Sequence, residues 1–147
     1  RVSGSIRPSA TLPSTPMHAL PVRLHPQQDL RAALEAALAA HGAVAAFVLQ
    51  GIGSLAVARL RFAGRDEIAE LRGDLEILTL AGSLSPDGAH LHMSVSDAEG
   101  RVSGGHVAPG CIVRTTAEVL VALLPEHRFS RETDPESGWM ELVVRPA

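Results

Sequence analysis

Apolar residues recur at helical spacing in one stretch of the chain, Leu30, Ala33, Leu34, Ala37 and Leu38, the i, i+3, i+4 pattern that lines one helix face. Asp29 stands just before the first of them as an N-cap, and Gly42 follows the last as a C-terminal glycine. Elsewhere the pattern is that of strands and turns. His18 to Leu24 reads as a strand, and Ala43 to Gln50 is an apolar run of buried-strand length. Gly51 and Gly53 read as a turn into a further strand, Leu55 to Phe62, and Arg72-Gly73-Asp74 reads as another turn. Leu75 to Ser83 is a strand that ends near Ser85-Pro86-Asp87-Gly88, a strong turn signal. His90 to Ser96 alternates polar with apolar, and Arg101 to Val107 returns from it. Ile112 to Leu124 fits a strand or a helix by pattern alone. Arg128 to Glu132 and Trp139 to Val144 flank a loop containing Pro135 and Gly138. One main helix against a mostly antiparallel sheet defines an α+β fold. Residues 1–16, rich in Ser, Pro and Thr, read as a tail, and 17–147 as one domain.

Composition narrows the function classes. Hydrophobic residues make up 46% of the chain and aromatics 3%, so aliphatic side chains must fill the core. All 13 basic residues are Arg, scattered singly, and the net charge is -3. Duplex recognition needs a basic stripe to neutralise phosphates; this composition argues against direct DNA binding by the chain alone. The one cysteine, Cys111, allows no intrachain disulfide and suits a reducing compartment. No segment has the apolar length of a membrane helix, and no apolar signal core opens the sequence. A cytoplasmic protein without membrane contact is the expectation.

The most informative chemistry lies in three histidines. His90 and His92 are two apart on a predicted strand, so both point to one face while Leu91, Met93 and Val95 point to the other. The following Asp97-Ala98-Glu99-Gly100-Arg101 suits a three-residue hairpin loop with Gly100 in the left-handed position. That register pairs Asp97 with Arg101 and, counting back, His92 with His106. His90 becomes the diagonal neighbour of His106, about 7–8 Å away across the strands. Three neutral imidazoles with an open fourth position suit zinc, and the competing reading is a polar sheet face at a subunit contact. Glu76, Glu118 and Glu141 are candidates for a fourth ligand or a general base. His18, His25, His41 and His127 are isolated and expected at the surface. Gly51-Ile52-Gly53-Ser54 lacks the third glycine and following helix of a dinucleotide loop. Ser54, Ser94, Ser103 and Cys111 have no evident base, which leaves nucleophilic catalysis unsupported.

Gly51-Ile52-Gly53-Ser54, Glu76-Ile77-Leu78, Gly82, His90 through Asp97, Gly100, Gly104-Gly105-His106 and Thr116-Ala117-Glu118-Val119 together resemble the PPC (plants-and-prokaryotes conserved) domain family. The resemblance runs from about Met17 to near the C-terminus. It implies an α+β domain that assembles as a homotrimer. In plants such domains follow AT-hooks and are associated with DNA binding; the Gly-Arg-Pro core of an AT-hook is absent here. The implied fold is also similar to that of acetolactate decarboxylase, a zinc enzyme with an H-x-H pair and a later His, an order that His90, His92 and His106 share. Two function classes follow from the resemblance: a trimeric, metal-capable binding or regulatory module, DNA association among its roles, or a zinc-dependent enzyme acting on a small carbonyl or carboxylate substrate.

Overall fold

The computed structural model describes residues 17–147; the tail expected over residues 1–16 lies outside them. Among the described residues, eight strands and one helix follow in the order β1 (His18–Leu24), α1 (Leu30–Ala40), β2 (Ala46–Arg61), β3 (Ile68–Ser85), β4 (Gly88–Ser96), β5 (Val102–Val107), β6 (Ile112–Leu123), β7 (His127–Thr133) and β8 (Met140–Pro146). The first six strands form an antiparallel sheet in the order β1-β6-β2-β3-β4-β5, and β7 pairs with β8 in a separate ribbon. The α+β expectation holds.

The long sheet curls back on itself. One edge of β2 pairs first with β6 and then, at its end, with β5 through Leu60↔Val107 and Arg61↔His106. The strands β2, β3, β4 and β5 therefore make a closed circuit. Helix α1 closes the core: Leu30, Leu34 and Leu38 are buried in one cluster with Leu55, Leu80, Leu84, Leu91 and Val113. Asp29 caps the helix by accepting from Ala32 N at 3.0 Å, and its other oxygen accepts from Gly110 N at 2.6 Å. One carboxylate thus fixes both the helix start and the β5–β6 connection. Gly42, at φ 61°, follows the C-cap as expected.

Two expected turns are absent. Gly51 and Gly53 lie inside β2, which runs unbroken to Arg61, and Arg72-Gly73-Asp74 lies inside β3. The glycines mark irregular strand, with register shifts in β2 on both sides of Gly53. A Cβ on Gly53 would collide with the backbone of Thr116 on β6; here glycine permits close approach of strands. The segment Ile112 to Leu123, ambiguous by pattern, is strand β6.

Candidate metal centre

The β4–β5 hairpin builds the site from the register expected of its loop. Gly100 sits at φ 77°, Gly100 N donates to Asp97 O at 3.0 Å, and Asp97 N donates to Arg101 O at 3.0 Å. The Asp97 carboxylate accepts from the backbone of Glu99 and Arg101 and from the Arg101 guanidinium at 2.7 Å. Those bonds, led by the one from Arg101, hold its carboxyl below the usual range. Counting back along the ladder, Ser96 pairs with Val102 and His92 with His106.

His90, His92 and His106 accordingly converge. Each offers a ligand nitrogen, and the three lie within 4.8 Å of one another. The ring centroids are 5.0–5.8 Å apart, and His90 Nε2 stands 3.2 Å from His92 Nε2. Two nitrogens bound to a tetrahedral zinc at about 2.0–2.1 Å would be about 3.3 Å apart, so this pair already has the spacing of a shared ion. His106 is half-buried, and its Nδ1 is buried without a hydrogen-bond partner. A buried ring nitrogen left in that state calls for an ion, a water or a ligand. Burial, followed by the charges of Arg61, His92 and Arg31, pushes the His106 pKa down; the neutral imidazole that a metal requires is the favoured form.

Neighbouring elements hold the cluster in place. Glu35 on α1 accepts from Ala89 N at 2.9 Å and from Arg31 Nε at 3.0 Å, fixing the start of β4 one residue before His90. Asp87 accepts from Arg131 N at 2.8 Å and ties β7 to the turn ahead of β4. The Arg131 guanidinium donates to His90 Nδ1. Because an arginine can only donate, this contact favours the His90 tautomer that carries its proton on Nε2. A cavity of about 890 Å³ opens beside the cluster, with Arg31, Arg61, His90, His106, Arg131 and Trp139 among its walls.

Of the three glutamates considered from sequence, Glu141 lines this cavity and lies 3.8 Å from Arg131. Glu76 is exposed and sits opposite Ser96 and Ser54. Glu118 is exposed in a groove shared by β1, β2 and β6. His18, His25, His41 and His127 are all exposed, as expected. Cys111 is buried, and burial raises its thiol pKa, which suits a structural cysteine. Sequence reasoning missed Arg31, Arg61 and Arg131, which reach the cavity from α1, β2 and β7.

This fold and histidine cluster have relatives. The chain belongs to the Plants and Prokaryotes Conserved (PCC) domain family, whose model matches residues 12–125. The β7–β8 ribbon, with Arg131, Trp139 and Glu141, falls beyond the matched span. A hypothetical protein from Salmonella enterica is 37% identical with a TM-score of 0.87, covering 90% of this chain and 96% of that one. A metal-containing protein from Archaeoglobus fulgidus is 27% identical with a TM-score of 0.73, covering 86% and 93%. The bifunctional protein GlmU of a Synechococcus strain is 46% identical over 144 residues, 97% of this chain but 23% of that protein. The chain therefore spans about a quarter of this curated relative's length. Among the described residues, no helix is long and apolar enough to cross a membrane.

Proposed function

We propose that this domain is a metal-capable binding or regulatory module in which His90, His92 and His106 hold one zinc ion. The observation that carries the reading is the convergence of three imidazole nitrogens within 4.8 Å, two of them already at the separation of a shared tetrahedral ligand pair. The metal-containing relative from Archaeoglobus supports it. Imidazole donors suit zinc, and the open fourth position would be left to water or to a ligand from the cavity.

Metal analysis of the full chain after zinc loading and desalting tests this. The expected result is one zinc per chain, falling by more than tenfold in affinity for His92→Ala. His92 is exposed and its loss leaves no core void, so the variant should fold normally. Unchanged zinc uptake by His92→Ala would reduce the cluster to a polar surface.

The cavity supports a second reading, a zinc-dependent enzyme acting on a small carbonyl or carboxylate compound. Zinc there would polarise a carbonyl or lower the pKa of its own water, and Asp66, Asp87 and Glu141 are the carboxylates of the cavity wall available to accept a proton. A homotrimer remains the proposed assembly, on the resemblance and on an apolar groove of the sheet lined by Pro21, Ile52 and Leu120. A DNA-associated role for the module would need a basic partner, since the chain's own net charge is -3.

A further inference from the structure

We infer that the cavity beside the histidines receives the oxyanion group of a small ligand, a carboxylate or a phosphate, with the Arg61 guanidinium as its counter-charge. The inference rests on the zinc reading for the ligand's second attachment point, but not for the recognition of its charge.

The register supplies the geometry. His92 on β4 lies opposite His106 on β5, and His106 lies opposite Arg61 on β2. Directly paired residues share a sheet face, so Arg61 continues the row of histidines across the strand pairing that closes the sheet. Both Arg61 and His106 line the cavity.

The wall carries three arginines, Arg31, Arg61 and Arg131, and three carboxylates, Asp66, Asp87 and Glu141, and these charges are unequally satisfied. Arg31 is paired with Glu35 at 3.0 Å and donates to Val107 O at 3.3 Å. Arg131 contacts His90, donates to Met140 O at 3.2 Å and faces Glu141 at 3.8 Å. Arg61 is exposed, and its guanidinium has one long hydrogen bond, to Arg65 O at 3.4 Å, and no ion pair among the described residues. A guanidinium in this position is matched to a planar or tetrahedral oxyanion by its fork of N–H donors. Zinc on three neutral imidazoles would add two further positive charges, and a partly buried site favours a ligand that offsets them. The volume, about 890 Å³, falls in the range of small-molecule sites. Trp139 and Met140 provide an apolar wall for the uncharged part of the ligand.

Trp139 is the single tryptophan of the chain and lines the cavity, so its fluorescence reports occupancy. The metal-free and zinc-loaded full chain would each be titrated with inorganic phosphate, with acetate, and with acetamide as a neutral control, calorimetry running in parallel. Saturable binding of one or both anions, without binding of acetamide, is expected in the metal-free chain and should tighten with zinc. The two anion arms distinguish a phosphate from a carboxylate site. Arg61→Gln should weaken anion binding at least tenfold, Arg61→Lys should recover part of it, and neither should alter zinc stoichiometry. The inference is overturned if neither anion gives a saturable signal by either readout, or if Arg61→Gln binds anions as the wild type does. Loss of zinc uptake with Arg61-dependent anion binding intact would remove the metal reading and leave the anion site standing.

Discussion

At the scale of single residues, the three histidines were legible because two local rules suffice to place them. Strand alternation puts His90 and His92 on one face, and the left-handed glycine at 100 sets the register that brings His106 across. The arginines obey no such local rule. Arg61 reaches His106 only because β2 also pairs with β5, a contact between residues 45 positions apart, and Arg131 arrives on a ribbon from the C-terminal region. That second arginine bears directly on metal uptake. Its contact with His90 Nδ1 favours the tautomer with the proton on Nε2, and the guanidinium charge opposes an incoming cation. Metal-bound histidines generally donate their other ring N–H to an acceptor. Arg131→Gln offers an amide oxygen to accept from Nδ1–H and removes the charge, so zinc affinity should rise, by about tenfold or 1.4 kcal/mol. Competition against a chromophoric chelator would measure it, and weaker zinc binding in the variant would show that Arg131 supports the site.

At the scale of elements, the helix, the β4–β5 hairpin and the β7–β8 ribbon were readable, whereas β2 and β3 were each read as interrupted. Glycine is the same letter whether it turns the chain or lets a second strand press against it, and only the neighbour decides. Gly82 and Gly100 show the two uses. Gly100, at φ 77°, has open space around its Cβ position, so Gly100→Ala carries a conformational penalty alone, about 1 kcal/mol. Gly82, at φ 148°, lies opposite Leu91, and a Cβ there would overlap the His90 carbonyl oxygen and crowd Leu91 Cα. Backbone on β4 cannot rotate aside as a side chain would. Gly82→Ala should therefore cost about 3 kcal/mol, adding steric overlap to strain, and should disturb the strand that carries His90 and His92. Urea unfolding of the two variants measures the contrast; equal costs would mean that β3 and β4 have room to separate.

At the scale of the whole molecule, the curled sheet has one face on the core and part of the other open. Along its outer surface Pro21 of β1, Ile52 of β2 and Leu120 of β6 border an apolar groove of about 490 Å³. Ile52 is 52% exposed and Leu120 40%, and side chains of this kind gathered in one place mark a contact surface. Cross-strand pairing explains why they meet: Pro21 lies opposite Leu120, and Gln50, two positions before Ile52, lies opposite the same residue. The groove lies on the strands β1, β6 and β2, whereas the histidines lie on β4 and β5. A second copy seated in the groove would cover apolar surface that a lone chain leaves in water, and the homotrimer implied by the resemblance gives each chain two such neighbours. Light scattering of the wild type should then give a mass near three chains at micromolar concentration. Ile52→Glu buries a charge in that contact and should shift the population toward the monomer, with little effect on folding because Ile52 is exposed within one chain. A monomeric wild type across that range, or a trimer untouched by Ile52→Glu, would mean that this groove is not the contact between subunits.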